Sequence, residues 1–124
     1  MMRWLVTLSE RAITESLGQG GQQLGVDAAL ITQHGAVSEA VASAMAQGAL
    51  LYSKAHVALA ITGVAGPAGG TLDKPVGTVW FAWATPQGLH SELRHFEGDR
   101  AAVRQASTLH SMLGLLRLIE RTPI

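Results

Sequence analysis

The segment ITGVAGPAGGTLDKPVGTVWFAW, residues 61 to 83, joins two apolar runs through a glycine-rich loop. The first run, residues 56 to 62, is short and nearly all apolar, which favours a strand buried on both faces. The second run, residues 77 to 85, is rich in valine, tryptophan, phenylalanine and threonine, and this composition predicts another strand. The segment therefore predicts two strands of one sheet with the glycine-rich loop between them.

Two helices are expected on either side of these strands. Residues 38 to 55 combine an N-cap candidate, Ser38, with apolar and small residues at helical spacing. Because many of those residues are small, we expect the helix to pack closely against its partner. Residues 99 to 121 give the clearest helical pattern in the chain, and Asp99 is the expected N-cap.

A turn signal and a third strand complete the predicted sheet. Proline and glycine within residues 86 to 88 favour a turn, so residues 89 to 97 are expected to form a hairpin with the preceding strand. The order of helix, three strands and helix predicts a single α/β domain with a mixed sheet over residues 1 to 124. The residues before 27 give no firm assignment.

The composition limits the classes of protein to which the chain can belong. Its 124 residues carry nine basic and nine acidic side chains, whereas nucleic-acid modules normally show a basic excess. There is no cysteine, which excludes disulfides, thiolate metal sites and cysteine nucleophiles. The five histidines lack the spacing of a helical zinc site. No apolar run approaches the roughly 18 residues of a membrane span, and no signal peptide is recognised, so we expect a soluble cytoplasmic protein without a membrane partner.

The glycine-rich loop leaves two interpretations open. Gly63, Gly66, Gly69 and Gly70 follow a buried strand, and open α/β sheets bind ligands at such strand ends. Successive backbone amides without side chains also form anion-binding nests. Alternatively, the loop is a flexible connector, since loops favour glycine for conformational reasons alone. It is neither a phosphate-binding P-loop nor a dinucleotide fingerprint, because it leads into a strand instead of a helix.

Three segments resemble the CinA C-terminal domain family. They are ITGVAGPAGGTLDKPVGTV at residues 61 to 79, LITQHGAVSEAVASAMAQGAL at 30 to 50 and FEGDRAAVRQAS at 96 to 107, in the family's order and spacing. The resemblance covers about residues 24 to 120 and implies a three-layer α/β/α domain. It also implies a nicotinamide-nucleotide amidase, which hydrolyses the carboxamide of nicotinamide mononucleotide to nicotinate mononucleotide and ammonia without a metal or cofactor. A homo-oligomer is expected on the same grounds.

The resemblance further implies which residues form the site. Ser16, in the segment TESLGQGG at residues 14 to 21, corresponds to the serine nucleophile. Substrate-binding residues are expected at the glycine-rich loop and on the last helix, namely Thr62, Gly63, Gly66, Gly69, Gly70 and Arg104. The alternative for Thr62 is a hydroxyl that caps the loop, and for Arg104 a solvated position. If both bind the ligand, Thr62 and Arg104 should face the same cleft.

The catalytic motifs depart from the family's pattern. The family has Ala-Glu-Ser-Cys-Thr-Gly-Gly and, further along, a Tyr-Ser-Asn-x-x-Lys segment whose lysine is the base. Here the Cys-Thr pair is replaced, the lysine segment is absent together with the helix and strand between the motifs, and only Lys54 and Lys74 remain. Either the chain is a degenerate member or the natural protein is longer. Two functions stay open, an amidase acting through Ser16 and a catalytically impaired protein that binds a nucleotide phosphate or associates with itself.

Overall fold

The computed structural model describes residues 2–8, 13–17, 28–51, 56–67 and 69–121. The strands and helices in chain order are β1 (Met2–Leu8), β2 (Ile13–Leu17), α1 (Ala28–His34), α2 (Glu39–Leu51), β3 (Val57–Gly63), β4 (Thr78–Thr85), β5 (Gly88–His95) and α3 (Arg100–Arg121). The three strands and two helices predicted from residue 38 onward are confirmed. Residues 52 to 55, which were predicted to end the first of those helices, lie outside the described residues.

The five strands form one sheet in the order β2-β1-β3-β4-β5. Every strand pair in this described sheet is antiparallel, so the α/β class is confirmed but the expectation of a mixed sheet is wrong. The segment that contains α1 and α2 connects β2 to β3, two strands that are not neighbours in the sheet. β1 lies between these two strands and pairs antiparallel with both, so β2 and β3 run in the same direction without pairing with each other.

Helices cover both faces of the sheet, which confirms the three-layer α/β/α arrangement. Successive residues of a strand point to opposite faces. The face beneath α3 carries mostly large side chains, namely Val57, Leu59, Ile61, Val79, Phe81 and Trp83. The face beneath α2 carries small side chains, namely Ala58, Ala60, Ala82 and Ala84. This alternation explains why the β3 sequence is almost entirely apolar, since both of its faces are buried.

Both predicted N-caps are confirmed. The hydroxyl of Ser38 accepts a hydrogen bond from the amide of Val41 at 3.3 Å. The carboxylate of Asp99 accepts one from the amide of Ala102 at 2.8 Å. These side chains satisfy amides that the first turn of a helix leaves without a partner. The second cap fixes the start of α3 beside the loop that follows β3.

Neither a membrane span nor a metal cluster is found in the part of the chain that the structure describes. None of its helices combines the length and the apolar character needed to cross a bilayer. The same residues contain no group of three or more histidine, aspartate or glutamate side chains that could hold a metal ion.

Candidate functional site

The glycine-rich loop, residues 64 to 77, is closed at its base by backbone hydrogen bonds. The amide of Val64 donates to the carbonyl of Thr78 at 2.9 Å, and the amide of Gly77 donates to the carbonyl of Val64 at 2.6 Å. The carbonyl of Gly77 accepts the amide of Phe96 at 2.9 Å, which ties the loop to the end of β5. These bonds hold both ends of the loop in place. A loop that served only as a flexible connector would not need them.

Two positions of the loop require glycine. Gly77 has a φ of 97°, and a Cβ there would collide with the carbonyl oxygen of Phe96. Gly66 has a φ of 87°, and a Cβ there would lie 2.7 Å from Cγ1 of Val76. L-residues with a side chain rarely adopt such φ values. Gly66 is among the glycines expected at the ligand, whereas Gly77 gives no separate signal because it begins the apolar run of the predicted strand at residues 77 to 85.

Two basic side chains connect the loop to the neighbouring helices α3 and α1 by hydrogen bonds. Nη1 of Arg100 donates to the carbonyl of Gly66 at 3.1 Å. Nζ of Lys74 donates to the carbonyl of His34 at 3.0 Å. The loop is therefore bound to the first turn of α3 on one side and to the end of α1 on the other. Arg104, the arginine expected at the ligand, lies one turn further along α3 than Arg100.

A cavity of about 480 Å³ opens between the loop and the first turn of α3. Pro67 and Val76 line it from the loop, and Asp99 and Arg100 line it from the start of the helix. Small-molecule sites usually have volumes of about 300 to 1,000 Å³. The place where the loop meets α3 is therefore a candidate ligand site.

The side chain of Thr62 faces the helical layer of α1 and α2, on the opposite face of the sheet from α3. It is fully buried, and its hydroxyl donates to the carbonyl of Ala36 at 2.8 Å, in the connection between α1 and α2. Its cross-strand partner Trp80 packs with the side chains beneath α2. The Thr62 hydroxyl thus donates to the connection between α1 and α2, whereas the capping alternative expected a bond to the glycine-rich loop.

Arg104 does not share a cleft with Thr62, so that expectation is wrong. Arg104 is exposed on α3, which packs on the opposite face of the sheet through Val103. Arg104 lines a shallow surface groove on α3 with Gln105, Leu109 and other residues of the same helix. Of the predicted loop glycines, Gly63 ends β3, and Gly69 and Gly70 lie at exposed positions of the loop.

The predicted nucleophile Ser16 lies within β2, at the edge of the sheet. Its backbone pairs with Leu5 of β1, and Leu5 pairs in turn with Ala60 of β3. Two strand spacings, about 10 Å, therefore separate Ser16 from β3. Lys54 and the glycines at 18 to 21 lie outside the described residues, so the catalytic role of Ser16 stays a prediction.

Comparison with known proteins gives concordant matches. The model of the CinA C-terminal domain matches residues 16–119. The nicotinamide-nucleotide amidohydrolase PncC of Pseudomonas putida is 49% identical over 106 residues, which are 86% of this chain and 66% of the relative. The protein of the same name from Escherichia coli K12 is 48% identical over 101 residues, 81% of this chain and 61% of the relative.

Solved structures give the same result. The competence-damaged protein (CinA) superfamily protein of Klebsiella pneumoniae superposes with a TM-score of 0.77 at 36% sequence identity. The match covers 83% of this chain and 64% of that one. The chain thus spans about two thirds or less of the length of the relatives it matches.

Proposed function

Because the chain belongs to the CinA C-terminal domain family, we propose that its ligand is nicotinamide mononucleotide. Two relatives that are 48% and 49% identical carry the name nicotinamide-nucleotide amidohydrolase. The reaction we assign to the family is hydrolysis of the ligand's carboxamide to a carboxylate and ammonia. We further propose that this chain performs the reaction far more slowly than its longer relatives, or binds the ligand without turnover.

The binding proposal is supported by the glycine-rich loop, which hydrogen bonds hold beside the first turn of α3. Arg100 bonds Gly66 through one nitrogen, and a guanidinium has five N–H donors in a planar fork that suits phosphate. The dipole of α3 also favours an anion at its first turn, where the Asp99 carboxylate that caps the Ala102 amide lines the same cavity. Gly69 and Gly70 are exposed and leave their backbone open to a ligand. We therefore propose that the nucleotide phosphate binds here, with Arg104, one turn along α3, as a second candidate contact.

The chemistry requires a nucleophile and a base. In the proposed reaction the hydroxyl oxygen of Ser16 bonds the carboxamide carbon while a base takes the hydroxyl proton. That proton passes to the leaving nitrogen, ammonia departs, and water then hydrolyses the acyl ester to release nicotinate mononucleotide and restore the serine. A lysine acts as such a base only when neutral.

The positions of Ser16 and Lys74 favour slow or absent turnover. Lys74, the lysine within the described residues, directs its Nζ to the carbonyl of His34. That nitrogen therefore bonds the loop to the end of α1. Lys74 also lies in the Lys-Pro-Val-Gly-Thr segment that resembles the family, and not at the position of the family's base. General-base assistance contributes about a hundredfold to ten-thousandfold in rate. We expect a loss of that order relative to a full-length relative.

The test is to titrate the purified protein with nicotinamide mononucleotide by calorimetry and to follow ammonia release in the same samples. The full-length Pseudomonas putida relative and Ser16→Ala are measured alongside. Binding with turnover at least about a hundredfold below the relative supports the proposal. Turnover equal to that of the relative and abolished by Ser16→Ala would show an intact amidase. Absence of binding at millimolar ligand would remove the ligand assignment itself.

A further inference from the structure

His95, the last residue of β5, reaches the glycine-rich loop. It is the cross-strand partner of Thr78, the first residue of β4. Its Nε2 lies 3.0 Å from the carbonyl oxygen of Val76, two residues before Thr78. An aromatic side chain can reach such a diagonal neighbour across a pair of strands. The ring therefore bonds the loop from β5, as Arg100 bonds it from α3.

This hydrogen bond determines which ring nitrogen of His95 carries the hydrogen. A carbonyl oxygen only accepts hydrogen bonds, so Nε2 is the donor to Val76. In the neutral imidazole the other nitrogen, Nδ1, then has no hydrogen, and it takes up the proton when the ring becomes charged. The bond to Val76 is consequently available in both charge states of His95.

Val76 is the loop residue against which two of the glycines pack. A Cβ at Gly66 would lie 2.7 Å from Cγ1 of Val76, and a Cβ at Gly70 would lie 2.7 Å from the Val76 amide nitrogen. Neither glycine could carry a side chain unless Val76 moved. Val76 also lines the cavity between the loop and α3. The position of Val76 therefore sets the positions of both glycines and of one wall of the cavity.

The peptide group between Val76 and Gly77 is held at both of its polar atoms. Its carbonyl oxygen accepts the hydrogen bond from His95, and its N–H donates to the carbonyl of Val64 at 2.6 Å. A peptide group that precedes a glycine rotates readily, because both signs of φ are open to glycine. The two bonds together select the orientation in which Gly77 has a φ of 97°. Loss of the His95 bond removes one of these two restraints.

We propose that His95 is a positioning residue of the candidate ligand site, an inference that rests on the proposed function. Its ring fixes the peptide group between Val76 and Gly77. Through Val76 it fixes one cavity wall together with Gly66 and Gly70, which belong to the expected ligand-binding residues. His95 thus acts on the ligand through Val76 and not by a contact of its own.

The first test needs no ligand and uses NMR spectroscopy of the wild type and three variants. His95→Leu removes the donor, whereas His95→Gln offers an amide N–H in place of Nε2. His90→Leu is the matched control, because His90 is another exposed histidine of β5 and its ring stacks on Trp83. We expect His95→Leu to shift the carbonyl carbon signal of Val76 upfield, since that oxygen loses its hydrogen bond. The other two variants should leave the signal close to its wild-type position.

The ring-nitrogen signals of the wild type give a second readout in the same experiment. In alkaline solution, where neutral imidazole predominates, His95 should be in the Nε2–H form. An Nδ1–H form would overturn the proposal, because it could not donate to Val76. An unchanged Val76 signal in His95→Leu would overturn it as well.

The second test measures the affinity of the same proteins for nicotinamide mononucleotide by calorimetry. His95→Leu is expected to bind about threefold to tenfold more weakly than the wild type, the factor that corresponds to one net hydrogen bond. His95→Gln and His90→Leu are expected to bind within about twofold of the wild type, as surface substitutions usually do. Thermal melts by circular dichroism check that each variant is folded.

Rescue by glutamine separates positioning from a general loss of packing. If His95→Gln binds as weakly as His95→Leu, or if His95→Leu binds as tightly as the wild type, the positioning role is wrong. Absence of binding by the wild-type protein would instead remove the ligand assignment, and with it the role of His95 at a nucleotide site. The NMR result is independent of the ligand, so the two failures are distinguishable.

Discussion

Replacing Gly77 by alanine tests whether the base of the glycine-rich loop has the fixed conformation and the hydrogen bonds that the structure shows. Gly77 has a φ of 97° and no room for a Cβ against the Phe96 carbonyl. Its amide and carbonyl bond Val64 and Phe96, so it joins the loop base to the end of β5. Gly88 is the matched control, because a Cβ at that position meets nothing within 4 Å and its φ is not positive.

The expected cost of Gly77→Ala follows from these contacts. A left-handed conformation costs a residue with a side chain about 1–2 kcal/mol. The collision with the Phe96 carbonyl also displaces two backbone hydrogen bonds, each with a net value of about 0.5–1.5 kcal/mol. We therefore expect the free energy of unfolding to fall by about 3 kcal/mol. Gly88→Ala is expected to leave it unchanged or raise it by about 0.5 kcal/mol, since alanine restricts the unfolded chain.

Thermal unfolding followed by circular dichroism measures both variants. At about 4 °C for each kcal/mol in a domain of this size, Gly77→Ala should unfold about 12 °C below the wild type. Its affinity for the proposed ligand, nicotinamide mononucleotide, should fall as well, because the loop loses its attachment. If Gly77→Ala melts within about 2 °C of Gly88→Ala, the strain and bonding assigned to the loop base are refuted.

Three further variants test other contacts. Arg100→Ala removes the hydrogen bond to the carbonyl of Gly66, so we expect about 1 kcal/mol lower stability and weaker binding of the proposed nucleotide ligand by calorimetry. Burial raises the pKa of Glu92, but hydrogen bonds and positive charge from His110 and a neighbouring arginine outweigh it, and the net pKa lies below the usual 4.5. The stability from Glu92 is therefore complete above about pH 4.5 and lost as the pH falls through the lowered pKa, so the stability difference between wild type and Glu92→Gln should shrink in melts below that pH. Gly114→Ala places a Cβ against the buried indole ring of Trp83, and a loss of about 1–2 kcal/mol in urea titrations is expected, since overpacking outweighs the gain of about 1 kcal/mol in helix propensity.

The sequence by itself determined the local elements from residue 38 onward. Strand composition located β3 and β4, a turn signal located the hairpin to β5, and capping side chains located the helix starts, as the bonds of Ser38 and Asp99 confirm. These signals succeed because propensity, capping and turn chemistry act over a few neighbouring residues. The glycine-rich loop and its place after a buried strand were predictable for the same reason.

Only the tertiary structure decided which side chains meet. The antiparallel order of the sheet depends on β1 lying between β2 and β3, and strand pairing is a non-local choice. Thr62 and Arg104 were expected in one cleft, but strand alternation directs Thr62 beneath α2, and Arg104 lies on the outward side of α3. Arg100, one helical turn before Arg104, bonds the carbonyl of Gly66 in the loop. A single step along a strand or one turn of a helix moves a side chain to another face or another neighbour, and only long-range packing fixes where that face lies.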